Sequence, residues 1–347
     1  QRKGTPIWHL GLTSPGWQDR LCEHYRSIFS REKGDRRDAD LATLKTAMAH
    51  AASKTPPTPF TMDELLAPSA KWTAVSAPGP DGIAYSHLKT ILANPALAQD
   101  VLQLMNGVLV EGRVPASWLD STTVLLPKIP RPLTWSQTRP ITLTNSLGKW
   151  LSQMLLRRTP PLHSPQAPQF STRGRTSLQA AALIRRLLQK VVEWSEPMLL
   201  LKIDIRKAFD SSHQPALGCM LSHALGNSYP GEAGLLLDML QTDQLAIQFM
   251  GESLQVPQTN GVRQGSPESP VVFAAAMAGC APAPHPQSTL PSAGLEYMDD
   301  AYIWAPSTST LQSLLDAFLL PLHRLGLTVN PDKTVLVASL DSLTGST

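Results

Sequence analysis

Leu295-Glu296-Tyr297-Met298-Asp299-Asp300-Ala301-Tyr302-Ile303-Trp304 decides how this chain is read. Two adjacent carboxylates stand between two short apolar, β-favouring runs. Asp is depleted inside strands and favoured in turns, so the pair reads as the tip of a tight β-hairpin. Taken alone, the stretch is equally an acidic surface turn. Its weight comes from a second one, Met198-Leu199-Leu200-Leu201-Lys202-Ile203-Asp204-Ile205, an apolar run with a single Asp near its end. Two strand ends that deliver three carboxylates to one place make a site for hard divalent cations. Mg²⁺ takes oxygen ligands, commonly one or two carboxylates together with substrate phosphates. Two such ions side by side serve phosphoryl or nucleotidyl transfer.

Composition narrows the classes around that site. At 347 residues the chain has room for two domains or one large multilayered one, and 42% hydrophobic residues supply a sizeable core. No apolar run reaches the length of a membrane span and no secretory signal opens the chain. The first residue is Gln1, which reads as a fragment or excised domain. Cys22, Cys219 and Cys280 lie far apart, so neither a disulfide framework nor a zinc site is supported and a reducing compartment fits. The net charge of +3 is mild, with basic residues gathered locally at Arg173–Arg175, Arg185-Arg186 and Lys202–Lys207. That balance permits a nucleic-acid partner without requiring one. The 31 prolines imply many breaks between short elements.

Outward from the carboxylates, the chain reads as short strands and helices with no internal repeat. Trp17, Leu21, Tyr25 and Ile28 fall at helical spacing after Ser14-Pro15, and a charged patch spans Arg31 to Asp40. Lys54 to Pro59 is a linker by composition, and Thr61-Met62-Asp63-Glu64 spells a capping box. Ala77-Pro78-Gly79-Pro80-Asp81-Gly82-Ile83 is a rigid loop before a mostly helical stretch to Glu111. Thr122 to Lys128 and Thr138 to Leu143 read as strands. Leu147 to Leu155 reads as a short helix, and Ser177 to Trp194 as the clearest helix, with its basic residues on a solvated face. Helical segments are expected at 217–225 and 234–245, a loop at 255–264, and a helix from Pro267. A stiff Pro-rich insert follows at 281–286, then a helix at 310–325 and a closing strand at 334–339. Grouped strands and grouped helices point to α+β layers.

The order of motifs then matters more than any one of them. Lys202-Ile203-Asp204-Ile205-Arg206-Lys207-Ala208-Phe209-Asp210 is followed by Gly261-Val262-Arg263-Gln264-Gly265-Ser266-Pro267-Glu268-Ser269-Pro270. Tyr297-Met298-Asp299-Asp300 and Gly326-Leu327-Thr328-Val329-Asn330-Pro331-Asp332-Lys333-Thr334 come next. Together they resemble the palm of a reverse transcriptase, motifs A to D in order. Upstream, 77–83 and Arg139-Pro140-Ile141-Thr142-Leu143-Thr144-Asn145-Ser146-Leu147-Gly148-Lys149 look like finger segments of non-LTR retrotransposon and group II intron enzymes.

The resemblance implies an α+β right-hand polymerase with an antiparallel palm sheet backed by helices, its thumb absent or truncated. An N-terminal extension would occupy 1–60, fingers 61–195 and the palm 196–347. The implied activity is RNA-directed DNA polymerisation, adding dNTPs to a primer 3′-hydroxyl with an RNA template and a DNA product. The implied cofactors are two Mg²⁺ ions, with Mn²⁺ as a substitute. Asp204, Asp299 and Asp300, with the carbonyl of Ile205, would hold the metals. Phe209 matches the steric gate against a ribose 2′-hydroxyl; an ordinary core Phe is its plain alternative. Gln264 and Gly265 would meet the incoming nucleotide, Gly by allowing close backbone approach. Lys128 and Arg139 would clamp its triphosphate, and Lys333 would act as general acid for the leaving pyrophosphate. The location implied is intracellular, nucleus or cytoplasm.

Departures accompany the match. Met298 stands where non-LTR enzymes more often carry Ala, and Glu268 occupies a usually apolar spot. The Pro-rich insert replaces helix between motifs B and C. An inactive or maturase-like RNA-binding remnant is one alternative, and an RNA-dependent RNA polymerase is another.

Overall fold

The computed structural model describes residues 8, 10–30, 34–164, 167–172, 174–195, 197–241, 243–282 and 293–339. Its eight strands are β1 (Ser121–Pro127), β2 (Thr138–Thr144), β3 (Leu199–Asp204), β4 (Gln244–Phe249), β5 (Glu252–Pro257), β6 (Ala293–Tyr297), β7 (Asp300–Ala305) and β8 (Val335–Ala338). They form two four-stranded sheets, ordered β2-β1-β4-β5 and β6-β7-β3-β8. Among the described residues helices outnumber strands, and all but one of the strand pairings are antiparallel, so the class is α+β. The chain separates into two compact units, 1–160 with 218–269, and 161–217 with 270–347. Extension, fingers and palm at 1–60, 61–195 and 196–347 are a functional division and stay a proposal.

In the first unit, β1 runs antiparallel to β2 and parallel to β4, and β4 pairs antiparallel with β5. Helix Trp17–Phe29 lays Trp17, Leu21, Tyr25, Ile28 and Phe29 into a core with Leu125, Trp135, Leu245, Ile247, Phe249 and Val256. The β4–β5 hairpin corrects the helix expected through Leu245 and the loop expected from Gln255. Helix Pro230–Leu240 stops first, and Leu245, Ile247 and Phe249 then alternate inward. The hairpin closes through Met250 and Gly251, both left-handed at φ 51 and φ 84, which matches the twist of the strands it joins. The helix Gly34–Lys54 takes in most of the charged patch at 31–40.

The 54–59 segment, a linker by composition, is tied down. Arg158 donates to the carbonyls of Thr58 and Pro59, pairs with Glu64 at 2.6 Å, and lies over the Phe60 ring. The capping box at Thr61 and Glu64 is present as spelled.

The second unit is built on the antiparallel sheet β6-β7-β3-β8. One face packs Leu199, Ile203, Ala301 and Ile303 against Phe273 and Met277 and against Leu311, Leu314, Phe318 and Leu322 of helix Thr308–Arg324. The other face packs Leu200, Leu295 and Trp304 against Ala180 and Val191 of helix Ser177–Trp194. That helix buries only those two residues, and its Leu188 is 38% exposed. Most of the Pro-rich insert, 283–286, lies outside the described residues, as does Arg173 of the basic cluster.

Candidate active site

Strand alternation explains why an apolar run carries one Asp. Successive side chains along β3 point to opposite faces. Leu199, Leu201 and Ile203 meet one core, while Leu200, Lys202 and Asp204 share the other face. Across the ladder, Leu200 is opposite Trp304, Lys202 opposite Tyr302, and Asp204 opposite Asp300. This face is therefore apolar where the helix covers it and becomes polar towards the strand end. Directly opposed residues of an antiparallel pair stand about 4.5–5.5 Å apart at the backbone. Two carboxylates are thus paired across β3 and β7.

Asp299 adjoins that pair. Tyr297 faces Asp300 in register, so Met298 and Asp299 are the two residues of the turn. The tip is Met298-Asp299 rather than the Asp pair, since Asp300 already opens β7. Met298 adopts φ 56, a left-handed conformation uncommon outside Gly and Asn. Such outliers persist only where their surroundings hold them. Asp299 is exposed, and Asp204 and Asp300 are half-buried.

The Asp204 carboxylate is oriented by a residue that the sequence reading quoted without giving it work. Asn330 Nδ2 donates to Asp204 Oδ2 at 2.9 Å, and the Asn330 backbone N–H donates to the Asp204 carbonyl at 2.7 Å. Thr334 Oγ1 accepts from the Asp204 N–H at 3.4 Å and donates to the Asn330 carbonyl at 2.8 Å. The Asn-Pro-Asp-Lys turn thereby fastens motif D to the Asp204 strand end. Lys333, in the short helix Pro331–Lys333, is exposed. Ile205 is buried and bridged to Val329.

Lys202 reaches Asp300 Oδ1 at 3.2 Å, and the hydrogen bond to Asp300 holds its ammonium above the usual lysine range. The three aspartates offer the hard oxygen donors that suit Mg²⁺ or Mn²⁺. Among the described residues, however, no three His, Cys, Asp or Glu side chains already form a metal-holding group. Phe209 packs its ring on Phe273 with centroids 4.5 Å apart and is only partly buried.

Lys128, Arg139, Gln264 and Gly265 belong to the first unit, whereas the carboxylates, Phe209 and Lys333 belong to the second. Lys128 Nζ donates to the Ser136 carbonyl at 2.8 Å. Arg139 is exposed on β2 opposite Leu126. The Gln264 carbonyl accepts from Thr142 N–H at 2.7 Å. Gly265 sits at φ 127, and a Cβ there would run into the Thr142 carbonyl. Its close backbone approach is thus made to β2. The finger-like loop at 77–83 is held by the second finger-like motif. Asn145 Oδ1 accepts from Asp81 N–H at 3.1 Å, and Ser146 Oγ donates to the Ile83 carbonyl at 2.6 Å. Glu268, the departure in motif B, is 3% exposed and accepts from Ser152 Oγ at 2.7 Å. Burial raises its carboxyl above the ordinary range, so it serves the interior of its unit.

The motifs and the sheet that carries them coincide with a family match. The model of the reverse transcriptase (RNA-dependent DNA polymerase) family matches residues 127–344. The chain belongs to this family. It is 27% identical over 227 residues to the Retrovirus-related Pol polyprotein from type-1 retrotransposable element R2 of Popillia japonica, covering 63% of this chain and 30% of that protein. It is 24% identical over 279 residues to the R2 polyprotein of Nasonia vitripennis, covering 77% of this chain and 26% of that one. Both relatives are polyproteins of type-1 retrotransposable elements. The chain thus spans under a third of the length of either relative. Among solved structures, apo telomerase from Candida tropicalis truncated from its C-terminal domain aligns with a TM-score of 0.48 at 13% identity. That alignment covers 67% of this chain and 52% of that one. No helix among the described residues is long and apolar enough to cross a membrane.

Proposed function

We propose that this reverse transcriptase domain copies an RNA template into DNA by adding dNTPs to a primer 3′-hydroxyl, as the polymerase core of a non-LTR element. The observation that supports the reading best is the opposed Asp204–Asp300 pair, with Asp299 in the adjoining turn, on motifs in family order. Asp204, Asp299 and Asp300 are the residues to hold two divalent ions, Mg²⁺ with Mn²⁺ as substitute, and the Ile205 carbonyl is a further oxygen donor. Bound there, two such ions lower the pKa of the 3′-hydroxyl and neutralise the triphosphate. Asn330 fixes one Asp204 oxygen and leaves the other for a ligand. Phe209 excludes the 2′-hydroxyl from beneath the incoming sugar. Gln264-Gly265 contacts the nucleotide, Arg139 and Lys128 neutralise its phosphates, and Lys333 protonates the pyrophosphate as it leaves. For Lys128 this means exchanging its bond to Ser136. Template, primer and product lie within the cell, in nucleus or cytoplasm.

Primer extension tests the reading. An RNA template with a DNA primer, Mg²⁺ and dNTPs should give full-length product, EDTA should abolish it, and rNTPs should be poorly used. Preferential use of rNTPs would instead favour an RNA polymerase, and absence of extension with binding of RNA intact would favour a maturase-like remnant.

A further inference from the structure

The Met298-Asp299 turn carries strain at a point where position is critical, and one buried side chain outside the recognised motifs holds it. Gln169 is fully buried. Its Oε1 accepts from Met298 N–H at 3.3 Å and from Ser171 N–H and Oγ at 3.0 and 2.6 Å. Its Nε2 donates to Glu296 Oε2 at 3.4 Å. Ser171 Oγ also accepts from Met298 N–H, at 3.3 Å.

The backbone supports the same arrangement. β6 is an edge strand, and residues 168–170 add a parallel bridge to it. Phe170 N–H donates to the Glu296 carbonyl at 2.7 Å, and Glu296 N–H donates to the Pro168 carbonyl at 2.9 Å. Gln169 is thus fastened to the strand on one side of the turn and to the first turn residue itself. Glu296 is 2% exposed, and burial holds its carboxyl well above the ordinary range. A neutral carboxyl is a competent partner for an amide and adds no charge to the interior.

We propose that Gln169 is a positioning residue for nucleotidyl transfer. Its amide holds Met298 in its left-handed conformation and so fixes where the turn presents Asp299 and Asp300. The proposal rests on the polymerase reading above for its catalytic consequence, but not for the clamp itself.

The test therefore has two readouts. The first is amide hydrogen exchange across 297–300; the second is primer extension, resolved into kcat, dNTP KM and the Mn²⁺ concentration for half-activation. Gln169→Met keeps the length of the side chain and removes both amide functions. It should speed exchange of the Met298 amide and lower kcat about 10–100-fold, the usual effect of losing a group that orients a metal ligand. The half-activating Mn²⁺ concentration should rise, while dNTP KM stays within about twofold of the parent, since the clamp makes no contact with nucleotide. The paired substitution Gln169→Glu with Glu296→Gln exchanges donor and acceptor, leaves one carboxyl in the site, and should restore both readouts. Parent-like exchange in Gln169→Met overturns the clamp. Faster exchange with parent-like kcat overturns the catalytic role. A fall in kcat that the exchanged pair does not recover, although it melts like the parent, also overturns it. A parent chain that extends no primer, yet shows the expected exchange pattern, sinks the polymerase reading while the clamp stands.

Discussion

Asn330 offers the sharpest test of how the site is built, because one side-chain bond can be removed with little else disturbed. Asn330→Ala deletes the Nδ2 donor at 2.9 Å from Asp204 Oδ2 and leaves the backbone bonds to Asp204 and Thr334 in place. The lost bond has a charged acceptor, and such bonds are worth about 1.5–3 kcal/mol. Asp204 is half-buried, so water recovers part of that in the free protein. The loss should instead appear where the carboxylate must be held at one angle. At about 1.4 kcal/mol per factor of ten, a loss of roughly 1.4–2.8 kcal/mol in the transition state lowers the rate about 10–100-fold. Single-turnover primer extension against Mg²⁺ concentration measures it. The maximal rate should fall by that factor and the half-activating Mg²⁺ concentration should rise, with thermal stability within about 1 kcal/mol of the parent, as for one partly exposed bond. Asn330→Asp sets a second carboxylate beside Asp204 and should be worse still, since like charges at hydrogen-bond distance repel. A parent-like rate and Mg²⁺ dependence in Asn330→Ala would refute the orienting role.

Three further outcomes follow from the geometry. Phe209→Val should raise rNTP incorporation with a smaller loss of dNTP use, measured by competitive single-nucleotide insertion; unchanged sugar selection would make Phe209 a core residue stacked on Phe273. Glu296→Gln should stabilise the fold increasingly as pH rises. The folded-state pKa of Glu296 lies above its unfolded value near 4.5, so the parent's advantage from keeping the proton is present at low pH and lost as pH climbs through the folded value. A melting-temperature difference between variant and parent that stays flat from about pH 5 to about pH 8 would contradict this. Gly265→Ala should destabilise its unit by about 1–3 kcal/mol, because a side chain at φ 127 is strained and its Cβ meets the Thr142 carbonyl. A denaturant melt within error of the parent would show that the loop yields.

Much of the second unit could be read from sequence because its signals are local. The alternation that buries Leu199 and Ile203 and turns Asp204 outward is written in consecutive residues, as is the apolar, β-favouring run of β7. The β4–β5 hairpin carried the same kind of signal in Leu245, Ile247 and Phe249 with Met250-Gly251, but the apolar helix just before it masked the change of period. Asn330 and Gln169 were illegible for a different reason. Each acts on a partner more than a hundred positions away, and no local pattern marks a residue whose work is done across the sheet. Glu296 read as part of a β-favouring run. Its burial became evident only once residues 168–170 covered the edge of β6. The sequence motif assigns Gly265 to close approach of the incoming nucleotide, whereas the approach the structure shows is to the Thr142 carbonyl of β2, where a Cβ would collide.

In the proposed function, Asp204 and its partners across the hairpin hold the metals of nucleotidyl transfer. Asp204→Asn tests it most directly, since Asn keeps the shape and the side-chain bonding capacity at Asn330 while removing the charge. Single-turnover extension of a DNA primer on an RNA template, with circular dichroism of the same samples, should show extension reduced to background in a folded protein. The substitution also removes a carboxylate opposed to Asp300, so the metal-free fold should be no less stable than the parent. Extension near the parent's rate in folded Asp204→Asn would place the metals elsewhere and contradict the account.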